Sequence, residues 1–157
     1  MGLPQFVKSL YLSRPGALGQ RLLRPAAIYV VGVDNLFTIA NGNILVTALY
    51  AETTIQITTI ATGTVAFNPT GVGATIDWDD GTVLYASQVG EITLIPMDVV
   101  FPATQLQAQP APAWPYNYIC SPGVIQFTVA GADTDGGLEW VLYYIPLDPE
   151  VTVVVSP

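Results

Sequence analysis

Carboxylates are the reactive groups this chain carries in quantity. Asp77-Trp78-Asp79-Asp80-Gly81 sets three of them beside a glycine, and Asp133-Thr134-Asp135-Gly136-Gly137 repeats the theme. A tight acidic turn can offer several oxygens to a hard cation such as calcium. Neither stretch has the spacing of a full calcium loop with its distant bidentate Glu. Asp77, Asp79 and Asp80 are therefore weak metal candidates, and acidic turns without metal are the plainer reading. Two carboxylates sharing a proton could do aspartic-protease work. Here Asp80-Gly81-Thr82 runs in the wrong order for that motif, and Asp133-Thr134-Asp135 interposes a residue. A glycosidase needs paired carboxylates in one cleft, whereas strand alternation sends neighbouring side chains to opposite faces. The chain has no histidine, and its one lysine, Lys8, stands near the start. Serine and cysteine nucleophile schemes thus lack their usual base. The expectation is a protein that is not an enzyme and uses no cofactor.

The charge pattern is the next strongest signal. All four basic residues, Lys8, Arg14, Arg21 and Arg24, precede Pro25, and all twelve acidic residues follow it, for a net charge of −8. A body of one sign repels phosphate backbones, which argues against direct nucleic-acid binding, and it is repelled by anionic membranes. Lys8 and Arg14 interrupt any secretory apolar region, and Phe6 stands where a myristoylation signal wants Ser or Thr. Prolines break the uncharged run from Val99 to Ala132, so a membrane helix is not expected there. Cys120 is the sole cysteine, flanked by Tyr118 and Ile119, and reads as a small buried hydrophobe.

At 157 residues the chain suits one domain. Residues 1–25 stand apart: Pro4, Pro15, Gly16, Gly19 and Pro25 oppose a long helix, while Phe6, Leu10, Tyr11 and Leu22 are too apolar for a free tail. An extended basic and apolar N-terminal arm is expected, docking through Phe6, Lys8, Tyr11, Arg14, Arg21 and Arg24. From residue 26 to 157 the pattern is strands. Ala26 to Val33 reads as one. Leu36 to Ala40 and Ile44 to Tyr50 flank Asn41-Gly42-Asn43, a strong hairpin signal. Thr53 to Ala61 alternates, with Ile55 and Ile57 inside. Ala74 to Trp78 and Thr82 to Ala86 read as a second hairpin. Val124 to Ala130 alternates cleanly, and Glu139 to Ile145 is apolar on both faces, so both must be covered, by a second sheet or by another subunit. Between Pro102 and Pro122 lies a Pro-rich loop whose Trp114 and Tyr116 offer rigid aromatic contact area. The sum is an all-β, jelly-roll-like antiparallel sandwich, with an immunoglobulin-type sandwich as the alternative.

The closing stretch Gly137-Leu138-Glu139-Trp140-Val141-Leu142-Tyr143-Tyr144-Ile145-Pro146-Leu147, followed by Val151 to Val155, resembles the last strands of tailed-bacteriophage virion proteins. The whole organisation is similar to that of capsid decoration, or cement, proteins. That resemblance implies a structural virion protein on the outer capsid surface, stabilising capsomer junctions. It implies the major capsid protein as partner, a homotrimer, and no contact with nucleic acid or membrane. Trp114, Tyr116, Trp140, Tyr143 and Tyr144 would then lie at the subunit interface. Two other readings stay open: a head-fibre or tail/baseplate module binding host glycans or a receptor through Trp114 and Tyr116, and a cellular β-sandwich adhesion domain.

Overall fold

The computed structural model describes residues 19–71, 73–78, 82–84, 87–95, 104–106 and 117–157. Strands account for every regular element among them: β1 (Gln20–Ala27), β2 (Gly32–Ala40), β3 (Ile44–Thr53), β4 (Thr62–Pro69), β5 (Ile76–Asp77), β6 (Thr82–Val83), β7 (Ile92–Leu94), β8 (Thr104–Leu106), β9 (Tyr118–Cys120), β10 (Gly123–Ala130), β11 (Leu138–Pro146) and β12 (Thr152–Val155). They form two antiparallel six-stranded sheets. One runs β1-β11-β3-β7-β8 with β9 also on β3; the other runs β12-β2-β10-β4-β5 with β6 also on β4. The result is a β-sandwich.

The two innermost strands explain it. β10 alternates as Ile125, Phe127 and Val129 inward against half-buried Val124, Gln126 and Thr128, the pattern of a strand with one wet face. β11 has no wet face over most of its length. Leu138, Trp140, Leu142 and Tyr144 join the core between the sheets, while Val141 and Tyr143 join a second apolar cluster with Ala48, Tyr50, Ile92 and Leu94 on the outer side. Aromatic contacts knit the core: Trp140 against Phe127 at 4.9 Å and Tyr29 edge-on to Phe127 at 5.2 Å. Trp78 closes the far side, stacked 6.0 Å from Phe67. Such aromatic pairs add roughly 0.5–1.5 kcal/mol each beyond their area burial. Gly63 lets the sheets come together there, since a Cβ would overlap the Phe127 ring.

Several sequence expectations need correction. The expected arm ends too late, because β1 takes Gln20 to Ala27 into the first sheet, antiparallel to β11, with Arg21 opposite Tyr143 and Arg24 opposite Trp140. The expected strand Ala26–Val33 is instead a junction: residues 28–31 link β1 to β2. Asn41-Gly42-Asn43 turns the chain, with Asn41 at φ 62°, but it does not close a hairpin. β2 and β3 lie in different sheets, each paired to partners distant in sequence. The turn is a corner, because the apolar faces of both strands gain more by facing each other than by sharing a ladder. The expected hairpin around Asp79-Asp80-Gly81 is also absent among the described residues: β5 and β6 both pair with β4. Thr53 to Ala61 is not a strand beyond Thr53; Ile57 is buried, but Ile55 points into solvent.

Candidate protein-binding surface

Chain crossings converge at one end of the sandwich. Leu138 at the start of β11 pairs with Ala27 and with Thr53, Gly32 pairs with Val129, and Thr62 pairs with Ala130 and Val83. That end is therefore built from the links at 28–31, 54–61 and 131–137, joined by the turn at 87–91. Its turn chemistry is dense. Thr134 exchanges bonds with Tyr29, its N–H donating to the Tyr29 carbonyl and its Oγ1 accepting from the Tyr29 N–H, both at 2.8 Å. The Val31 N–H donates to Asp133 Oδ1 at 2.6 Å. Asp135 Oδ1 accepts from the Thr58 N–H at 2.7 Å and the Thr59 N–H at 3.1 Å, and the Thr58 hydroxyl donates to its other oxygen. These bonds, led by the Thr58 hydroxyl, pull the Asp135 carboxyl from its ordinary value down to about 2. Gly136 seats the turn against its neighbour: a Cβ there would overlap the carbonyl oxygens of Ile55 and Gln56.

This base is rigid and polar, and what it presents is apolar. Ile28, Val30, Val31, Val33, Ile55, Ile60 and Val89 are each between 53 and 70 % exposed. Only Ile119, Leu147 and Val154 are large exposed hydrophobics elsewhere among the described residues. Aliphatic side chains gathered on rigid loops mark contact surfaces in soluble proteins. No cation stands among these links. The two arginines of the described body are engaged elsewhere: Arg24 Nη1 donates to the carbonyls of Asn35 (2.6 Å), Ser156 (2.8 Å) and Leu36 (3.3 Å), tying the first sheet to the second. Arg21 stands on the outer side of the first sheet, where it restrains the burial-driven rise in the Tyr50 pKa.

The residues singled out from the sequence end up in different places. Phe6, Lys8, Tyr11 and Arg14 lie outside the described residues, as do Trp114, Tyr116, Asp79 and Asp80. Arg21 and Arg24 belong to a core-forming strand rather than an arm. Trp140 and Tyr144, expected at a subunit interface, face the core instead; the Tyr144 hydroxyl donates to Gln20 Oε1 at 2.9 Å. Tyr143 does point outward from the sandwich, yet it is buried. Asp77 is exposed on the short β5, and among the described residues no group of three or more acidic, Cys or His side chains is placed to hold a metal ion. Asp133 and Asp135 spend their oxygens on backbone N–H groups. Cys120 is fully buried, and burial pushes its thiol up, so it sits as a hydrophobe.

The exposed loop residues are hard to find in the sequence, because Ile28-Tyr29-Val30-Val31 looks like strand. The one signal is the lack of any polar residue but Tyr29 between Ala26 and Asp34, too long an apolar run for one half-buried strand. No protein-family model matches the chain, and comparisons with curated proteins and with solved structures found no match.

Proposed function

We propose that this chain is a structural attachment protein that seats its apolar loop end on another protein assembly, and that the assembly is the outer surface of a bacteriophage capsid, whose capsomer junctions it stabilises as a cement or decoration protein. The observation that carries the reading is the loop end itself: exposed Ile and Val side chains on a hydrogen-bonded base, in a body whose described arginines are internally engaged. Such a surface suits stable burial against protein and offers nothing to a phosphate backbone. The strand order supports a jelly-roll reading. β1-β11-β3-β7 faces β2-β10-β4-β5, and β1 to β4, then β10 to β12, alternate between sheets; β6, β8 and β9 are additions to that frame. Jelly rolls recur in viral shells. In this reading residues 1–18, with their basic and apolar side chains, act as a tether to the shell, the virion is the site of action, and a trimer about a local three-fold axis is the working unit. The role is mechanical rather than catalytic.

The test is sedimentation of the purified chain with empty capsids. Saturable, stoichiometric binding is expected, and deletion of residues 1–18 should weaken it. The truncation must stop short of Gln20, since removing β1 would strip an edge from the sandwich. Failure of the intact, folded chain to bind shells would overturn the reading.

A further inference from the structure

One group at the loop end has no counterpart inside the described body. Glu52 on β3 and Glu139 on β11 are direct cross-strand partners, so their side chains lie on the same outer face of the first sheet, with Cβ atoms about 4.5–5.5 Å apart. Two like charges at such positions oppose strand pairing. Glu139 is only 9 % exposed, and among the described residues it has no hydrogen bond or ion pair. Glu52 is half-buried, so the pair opens to solvent on its side. Burial first, and the Glu139 carboxylate second, raise the Glu52 pKa. Arg21 is too far along the sheet to serve as a direct partner: it is opposite Tyr143, four residues along β11 from Glu139. A buried carboxylate without a donor is costly to maintain.

We infer that the Glu52–Glu139 pair is a receptor for an arginine side chain of the partner protein. This rests on the attachment reading above and names the chemistry the partner brings. The surroundings select the cation. Along the ladders the pair is flanked by Ile92 opposite Glu52 and by Val141 opposite Tyr50, the next outward-facing positions. A hard metal ion wants six or more oxygens, which these apolar neighbours do not supply. An ammonium is compact and strongly hydrated. A guanidinium is flat, weakly hydrated and able to bond two carboxylates through its fork, and its faces suit aliphatic and aromatic neighbours. The partner surface thus carries an arginine ringed by apolar side chains, to meet the carboxylate pair and the aliphatic tips together.

The experiment is carboxyl NMR on the full chain labelled at glutamate, titrated with N-acetyl-arginine amide, N-acetyl-lysine amide and calcium chloride in turn. Saturable shifts at Glu52 and Glu139 are expected with the arginine probe, weaker ones with lysine, and none with the arginine probe in Glu139→Gln. No saturable arginine response, or a tighter response to calcium, overturns the inference. The same titration on a Lys8→Gln/Arg14→Gln chain should superimpose on the first; a response seen in that chain alone would show that the chain supplies its own cation, and overturns the partner assignment. With empty capsids, Glu52→Gln and Glu139→Gln should each weaken binding by about tenfold or more. Shells bound equally by wild type and Glu139→Gln would overturn the arginine receptor and leave the attachment reading standing. Shells that bind neither would overturn the attachment reading, and the arginine titration then judges the carboxylate pair. Melting curves should show both variants folded, since each removes a like-charge repulsion.

Discussion

Asp135 shows how a single carboxylate can organise a loop. Its oxygens replace a ladder for Thr58 and Thr59, which have none. Because its pKa falls from an ordinary 3.8 to about 2 on folding, the stabilisation it gives is complete above the unfolded value. It is lost as pH drops through the folded one. Asp135→Asn should therefore melt below wild type at pH 7, and the two curves should converge between about pH 4 and about pH 2, as thermal denaturation across that range would show. Gly136 is the complementary case. Its Cβ has no room against two carbonyl oxygens, so Gly136→Ala should cost at least about 2 kcal/mol in denaturant unfolding. Neither role was legible in the sequence. Asp-Thr-Asp-Gly-Gly announces a turn, but the donors that occupy its carboxylates come from residues 76 and 77 positions earlier.

At the scale of elements, β1 is the segment where the structure departs furthest from expectation. Its edge position is tolerable because Pro25 has no N–H to offer a foreign strand, and the ladder to β11 shifts between Arg24 and Ala27. Arg24 then ties β1 to backbone carbonyls of the opposite sheet. Arg24→Gln should lower stability by about 2–3 kcal/mol, since charged hydrogen bonds are lost from partly buried acceptors. Hydrogen exchange should show β1 and β12 loosening before β10 and β11. The alternation in β10 and the doubly apolar β11 were readable from their own residues, and so was the all-β class. Which strand neighbours which was not. A run such as Leu36 to Ala40 looks the same whether its ladder partner is the next strand or β10 and β12, because the choice depends on distant residues. Charge segregation likewise suggested one continuous arm, yet Leu22 points inward against the core while Arg21 on its flank points away.

For the whole molecule, stability and attachment are housed in different residues. Ile60 is 70 % exposed, so Ile60→Asp should shift unfolding free energy by no more than about 0.5 kcal/mol while abolishing sedimentation with capsids. Trp140→Ala should do the reverse, costing about 3–5 kcal/mol with shell affinity unchanged for the fraction that remains folded. The pairing of the first strand with the eleventh has a temporal consequence. A nascent chain leaving the ribosome cannot finish its first sheet until almost all of it has been synthesised, and the closing loops are long, so folding is slow. The same wiring delays escape. Peeling one hairpin cannot release the others when partners are dispersed along the chain, and the native state should persist far longer than its equilibrium stability suggests. For a component made once and never renewed after assembly, lifetime matters more than depth of the well.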